Sequence, residues 1–305
     1  MTGEYGLVDP SEADTPGDEW EEIDVSDTEA DRIARKRDRE FSEFRKRIKD
    51  ADQFKVEASV FDDATYAALY KLVQDGWLSA FGGPVSTGKE ANVYTALGGE
   101  RAGEELDEPE PEVAVKVYRI NASDFRDMRD YLAGDPRFEG IGGKKSQVVL
   151  AWVRKEYANL KRAQKAGVRV PNPLAVERNV LVMEYIGTDE GGRARRLAEV
   201  NVENPETAYH VVREYIRRLY TAGLVHGDLS EYNMVIEDGE LVVIDLGQAV
   251  TVHHPNSEDF LKRDCRNVAN FFSRQGLDVT GEECYEFVRE NSNPREDGDD
   301  NRNAR

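Results

Sequence analysis

The chain has 305 residues, a net charge of −20 and 39% hydrophobic residues, enough apolar material for one bilobal or two small domains. It contains no apolar run of roughly 18 residues, which argues against a membrane-spanning helix, and its acidity argues against non-specific nucleic-acid binding over the whole surface. With no basic-then-apolar leader, and with Cys265 and Cys284 as its only cysteines, it is expected to be cytoplasmic, without a disulfide framework or a C-x-x-C metal site.

Residues 1–30 are rich in Asp, Glu, Ser, Thr and Gly and bury too little to offset the entropy of ordering, so disorder is expected. Residues 28–50 carry dense charge around a sparse stripe of Ile33, Phe41, Phe44 and Ile48, the pattern of a solvated helix. Residues 1–50 therefore read as a charged N-terminal extension. Acid runs through tails, helices and loops alike, and Arg outnumbers Lys. One account is a salt-rich cytosol, where surplus surface carboxylate maintains solubility. It predicts that the folded circular-dichroism signal is lost as KCl is diluted. Full stability in dilute buffer removes the idea.

Residues 63–75 read as an amphipathic helix with Tyr66, Leu69, Tyr70 and Val73 on one face and Gly76 as its stop. Phe81-Gly82-Gly83-Pro84-Val85-Ser86-Thr87-Gly88-Lys89-Glu90-Ala91-Asn92-Val93-Tyr94 follows. The spacing Gly83…Gly88-Lys89 imitates a Walker A loop. However, Glu90 stands where Ser or Thr must bind Mg²⁺, and 91–97 has strand composition where a helix is required. The better reading is a β-hairpin whose tip covers ATP phosphates, with Ser86, Gly88 and Ala91 at the three positions of a G-x-G-x-x-G loop. Backbone amides from Gly88 through Lys89 to Glu90 then approach the phosphates.

Residues 98–112 read as a polar, acidic connection. The strand Val113-Ala114-Val115-Lys116-Val117-Tyr118 comes next, and a lysine inside such a strand is rarely tolerated without a partner. Lys116 reads as the grip on the α- and β-phosphates, paired with a helix glutamate. The preferred partner is Glu156, beside the stripe Val149, Trp152, Val153, Tyr157 and Leu160 of a helix over 147–166; Glu112 and Glu177 are rivals. Between strand and helix, 120–146 reads as a short helix and a flexible loop with Gly140, Gly142 and Gly143 as hinges.

Val170-Pro171-Asn172-Pro173 breaks the helix, and 174–176 and 180–183 read as strands. Glu184-Tyr185-Ile186-Gly187 reads as a linker between two lobes. There Glu184 and Ile186 offer backbone groups to adenine, and Met183 forms the back wall. Residues 188–201 are polar, and Arg193, Arg195 and Arg196 make them a candidate contact for an acidic or RNA partner. A strong helix is predicted over 207–221, ended by Gly223. His226-Gly227-Asp228-Leu229-Ser230-Glu231-Tyr232-Asn233 follows, then a hairpin ending in Ile244-Asp245-Leu246-Gly247. The order H-x-D-x-x-x-x-N, then D-x-G, is that of protein kinases. In that chemistry Asp228 orients or deprotonates the attacking hydroxyl, while Asn233 and Asp245 hold Mg²⁺ against the nucleotide phosphates. His253-His254-Pro255 lacks third and fourth ligands for a metal. Helices over 256–275 and 280–290 follow, and 291–305 reads as a disordered tail.

Together these residues resemble the RIO family of atypical serine protein kinases, over roughly residues 54–290. The resemblance rests on Ser86-Thr87-Gly88-Lys89-Glu90-Ala91-Asn92-Val93-Tyr94, Gly134-Asp135-Pro136-Arg137-Phe138, the 226–233 string and Ile244-Asp245-Leu246-Gly247-Gln248. The phosphate loop looks like that of the type-one branch in its archaeal form, and no winged-helix module precedes it. The resemblance implies an α+β fold of the trimmed two-lobed protein-kinase type. The N-lobe (51–187, with the 120–146 insertion) holds an antiparallel sheet plus helix, the C-lobe (188–290) is mainly helical, and an extra N-terminal helix precedes them. It also implies ATP and Mg²⁺, with Mn²⁺ as an alternative ion, autophosphorylation on Ser and a transient phosphate on Asp245. The implied partner is the small ribosomal subunit precursor, protein and rRNA, met by a monomeric or weakly associating chain.

Three departures from ordinary kinases stand out. Gly227 replaces the Arg that couples to a phosphorylated activation loop, nothing like A-P-E follows Asp245, and Ser230 stands where many kinases place a Lys. Slow turnover, with ATP hydrolysis as a conformational timer, is expected over ordinary peptide phosphorylation. A nucleotide-binding assembly scaffold without chemistry and a small-molecule phosphotransferase are the alternatives.

Overall fold

The computed structural model describes residues 61–120, 125–132, 135, 138, 144–188 and 191–294. The expected extension 1–50, residues 295–305 of the expected tail and the hinge glycines Gly140, Gly142 and Gly143 lie outside the described residues.

Helix α1 (Asp63–Gln74) starts at Asp62, whose carboxylate accepts the Thr65 N–H at 2.7 Å, and stops where Gly76 turns at φ +78°. Tyr66, Leu69 and Leu72 are buried beneath it, and Asn179 donates to the Thr65 hydroxyl at 3.0 Å, tying helix to sheet. The sheet has five strands: β1 (Leu78–Thr87), β2 (Ala91–Gly98), β3 (Glu112–Tyr118), β4 (Pro173–Glu177) and β5 (Val180–Glu184). Their order is β1-β2-β3-β5-β4, antiparallel throughout. The β1–β2 turn sets Thr87 opposite Asn92 and closes through Gly88 N–H donated to Ala91 O at 2.9 Å. Because 91–98 is strand and no helix follows the turn, the Walker A geometry is absent here.

Residues 98–112 contain a helix, α2 (Glu100–Leu106), where a plain connection was expected. No apolar period announces it, since Ala102 is its only buried residue and Gly103 sits in its interior. Its ends define it: Asp107 takes a left-handed φ of 55° and returns its N–H to Gly103 O, and Gly98 N–H bonds Pro111 O at 2.7 Å.

The insertion contributes α3 (Phe125–Leu132), which buries Met128 and Leu132 and stacks Tyr131 on Phe260 with ring centres 5.2 Å apart. Helix α4 (Lys145–Lys165) backs the sheet with Val149, Trp152, Val153 and Leu160 buried. Beyond β5, β6 (Arg195–Arg196), β8 (Met234–Glu237) and β9 (Glu240–Val243) form a small sheet, while β7 (Leu224–Val225) pairs with β10 (Val250–Thr251). Helices α5 (Pro205–Thr221, capped by Asn204), α6 (Ser257–Arg274) and α7 (Gly281–Glu290) complete the helical part. One apolar core runs from Val149, Trp152 and Leu181 through Leu224 and Leu246 to Phe272 and Val288. The β7–β10 pair, though only two residues long, sets the loop after β7 (226–233) beside the loop before β10 (245–249). No helix among the described residues is long and apolar enough to cross a membrane.

Candidate active site

β3 lies between β2 and β5, with Lys116 opposite Val93 on one side and Leu181 on the other. Lys116 Nζ is 2.7 Å from Glu156 Oε1 on α4 and 3.0 Å from Asp245 Oδ1. Lys116 and Glu156 are buried, while the Asp245 side chain is 54% exposed. Burial works against the charged ammonium, yet the Asp245 and Glu156 carboxylates outweigh it and hold the lysine well above its ordinary pKa. In return, the Lys116 ammonium holds Asp245 below the usual carboxylate range. The rival acids are elsewhere: Glu112 is exposed at the start of β3, and Glu177 pairs with Lys71 at 2.5 Å. Asp245 takes φ +62°, a left-handed conformation that surrounding bonds must sustain in a non-glycine residue.

The second acid sits on the loop after β7. His226 is buried; its Nε2 bonds Ile244 O at 3.2 Å and its Nδ1 accepts the Asp228 N–H at 3.3 Å. Burial lowers its pKa, and the two bonds fit the tautomer with the proton on Nε2. Asn233 Nδ2 donates to Asp228 O at 2.8 Å and to Asp228 Oδ2 at 3.1 Å, which leaves Asn233 Oδ1 as the acceptor. Asn233 Oδ1 and the Asp245 carboxylate are hard oxygen donors of the kind Mg²⁺ takes. The structure thus joins Lys116, Glu156 and Asp245 directly, and Asp228 to Asn233.

A RIO domain profile matches residues 92–284. Over 300 residues the chain is 71% identical to the RIO-type serine/threonine-protein kinase Rio1 of Haloferax volcanii, covering 98% of this chain and 100% of that one. The chain belongs to the RIO family of serine/threonine-protein kinases. It is also 36% identical to the Rio1 kinase of Methanocaldococcus jannaschii, covering 82% of this chain and 83% of that one, which supports the archaeal-like Rio1 branch. Among solved structures it resembles the Rio2 kinase of Chaetomium thermophilum, with a TM-score of 0.57 at 24% identity over 77% of this chain and 69% of that one. A structure of that kinase described as an ADP/Mg²⁺-phosphoaspartate complex gives a TM-score of 0.56 at 24% identity over 75% of this chain and 66% of that one. At such identity these likenesses concern the fold, and they agree with the trimmed kinase-like α+β architecture expected from the sequence.

Within the RIO fold the residues assigned to the nucleotide are spread out. Ser86, Gly88 and Lys89 are exposed at the hairpin tip. The Gly88 N–H is already donated to Ala91 O, so it closes the turn and does not point at a ligand. Met183 is half-buried on β5, opposite Ala114. The Glu184 carboxylate braces the linker: it accepts from Arg169 at 2.8 and 2.7 Å and from the Asn172 N–H at 2.8 Å. Ile186 is buried, and its carbonyl accepts the Ala194 N–H at 2.9 Å. Of the cations in 188–201, Arg193 pairs with Glu199 at 2.8 Å and Arg195 donates to the Glu199 carbonyl. Both ring nitrogens of His254 are engaged, with Asp130 O at 2.9 Å and the Asn256 N–H at 3.1 Å.

Tyr118 and Asp264 are among the contributors to the site that the sequence did not announce. Tyr118 lies two residues beyond Lys116, on the same face of β3, and its hydroxyl donates to Glu156 Oε2. Burial, then the Glu156 charge, raises the phenol pKa and keeps the proton on it. Asp264 on α6 accepts the Gly227 N–H at 2.8 Å and the Leu229 N–H at 2.9 Å, and Arg263 donates to Gly227 O. The loop around Asp228 is thereby held from below. Gly227 takes φ +78°, which strains any side chain placed there, and a Cβ would sit 3.1 Å from Gln248 O, so the Arg of ordinary kinases would require this loop to shift. Burial pushes the Asp264 carboxyl up to about 7, against the two N–H donors.

Asp264→Asn turns one acceptor into an amide N–H that faces a buried backbone donor. It is expected to lower stability by about 1–3 kcal/mol. Urea unfolding reads the loss, and a midpoint equal to wild type would remove Asp264 as the loop's anchor.

Proposed function

We propose that this site binds ATP with Mg²⁺ and transfers the γ-phosphoryl group to a serine hydroxyl, first on the chain itself. Lys116 carries this reading. It is a buried ammonium fixed between a helix carboxylate and a loop carboxylate, 2.7 and 3.0 Å away, as a grip on phosphates requires. The Lys89 amide and Ser86 cover the phosphates from the hairpin tip. Linker backbone at Glu184 and Ile186 meets adenine, with Met183 behind. Asn233 Oδ1 and Asp245 hold Mg²⁺, which when bound neutralises charge on the β- and γ-phosphate oxygens. Asp228 orients the serine hydroxyl and takes its proton as the Oγ–P bond forms and the β–γ bridge breaks to release ADP. Placed charge supplies most of the stabilisation of such a transfer.

The place of work we propose is the maturing small ribosomal subunit in the cytoplasm, with ATP turnover marking a conformational step. Label transfer from γ-labelled ATP tests the chemistry. Phosphoserine survives hydroxylamine, whereas an acyl phosphate on Asp245 does not. Hydrolysis without protein labelling would recast the chain as an ATPase. Nucleotide binding with neither outcome would leave a scaffold. Cosedimentation with small-subunit precursors, with and without ATP, tests the partner.

A further inference from the structure

Helix α4 contributes more to the site than Glu156. Lys155, Glu156 and Asn159 are all buried, and all three bear on one short stretch, 245–249, two of them through its backbone. Glu156 reaches it through Lys116 and Asp245. Lys155 Nζ donates to Gly247 O at 2.8 Å. Asn159 Nδ2 donates to Leu246 O at 3.2 Å and to Ala249 O at 2.9 Å. Lys155 and Asn159 are four residues apart, so they stand one above the other on the helix.

The stretch they hold lies between β9 and β10, outside any strand, so its buried carbonyls need donors from elsewhere. It also passes very close to the helix. A Cβ on Gly247 would come within 3.0 Å of Trp152 Nε1. The Lys155 ammonium lies 4.8 Å from the Trp152 ring centre, which fixes its direction. A methionine would fill nearly the same volume without burying an ammonium, and buried charge is costly. What lysine adds at 155 is a charge-assisted donor to one carbonyl, stronger than a neutral one.

We infer that Lys155, supported by Asn159, is a positioning residue that fastens the Asp245 loop to α4 and so holds the Asp245 carboxylate in its left-handed, metal-facing pose. This rests on the reading of Asp245 as a magnesium ligand, while the fastening itself is a property of the ligand-free chain. Lys116 and Glu156 then share the task of orienting Asp245 with two residues that bond carbonyls of its loop.

The test compares wild type with Lys155→Met. Hydrogen–deuterium exchange on the ligand-free proteins is expected to be roughly tenfold faster over 245–250 in the variant, with α5 unchanged, as for loss of a bond from a charged donor. ATP affinity in EDTA is expected to stay at the wild-type value, while the Mg²⁺ concentration for half-maximal label transfer rises by roughly the same factor. A folded Lys155→Met with wild-type exchange over 245–250 overturns the proposal, and so does raised exchange with an unchanged Mg²⁺ requirement. Should Lys155→Met fail to fold, Asn159→Ala is read by the same exchange, and wild-type protection there is equally fatal. If wild type transfers no label, the phosphotransfer reading fails, yet the exchange measurement still decides whether Lys155 fastens the loop.

Discussion

Asp228→Ala is expected to abolish autophosphorylation, a loss of about 10²–10⁴-fold as for removal of a placed general base, while ATP affinity stays nearly intact. The two halves of this expectation come from separate bonds. Asp228 Oδ2 accepts one Asn233 N–H at 3.1 Å, and the Asp228 backbone carbonyl accepts from the same amide at 2.8 Å. Alanine removes the first bond and keeps the second. Asn233 therefore stays oriented with Oδ1 available to Mg²⁺, and Lys116, Glu156 and Asp245 lose no bond of their own. Beyond that one bond, what disappears is the carboxylate that would meet a serine hydroxyl. Calorimetric titration with MgATP and label transfer from γ-labelled ATP read the two halves independently. An unchanged transfer rate removes Asp228 from the chemistry. A collapse of affinity means that the loop moved, and Asp264 with its two N–H bonds becomes the place to look.

How far the sequence carried the reading depended on the kind of signal each residue gives. Lys116 was legible because a charge inside V-A-V-K-V-Y breaks a strong apolar pattern, and Glu156 because it adjoins a helical stripe. The loops around Asp228 and Asp245 were legible as ordered strings of chemistry-bearing residues. The sheet and the major helices followed from period and stop signals, to within a residue or two at α4, α6 and α7. Helix α2 was not legible, because it is made by its turn ends and by one buried alanine, and carries no apolar face. Tyr118, Lys155, Asn159 and Asp264 were missed for a shared reason. Each is a polar group on a core-facing position whose partner lies far along the chain. Counting only apolar residues along a stripe passes over them. A usable signal existed: Asp264 sits three residues after Leu261 and four before Val268, both buried, so its carboxylate had to point inward. A buried polar residue at such a register needs a partner, and backbone groups of a functional loop are natural ones.

Lys116→Met is expected to damage stability and nucleotide binding together, and a second substitution separates them. Among the described residues, the single variant leaves the Glu156 carboxylate, 1% exposed, with only the Tyr118 hydroxyl as a partner. Breaking a buried ion pair in this way costs about 3–5 kcal/mol. It also frees Asp245, whose left-handed backbone then depends on the α4 bonds to Gly247, Leu246 and Ala249. In Lys116→Met/Glu156→Gln the uncompensated charge is gone, and the new amide oxygen still accepts from Tyr118. The double variant is therefore expected to recover most of the stability in urea unfolding, since neutral replacement of a buried pair is often close to isoenergetic. Nucleotide affinity is not expected to recover, because no cation returns to meet the α- and β-phosphates. Recovery of both would make the lysine a structural residue and would move the phosphate grip elsewhere. A single variant as stable as wild type would mean that the Glu156 carboxylate is solvated or protonated without its partner, and that the pair at 2.7 Å contributes little to holding α4 against β3.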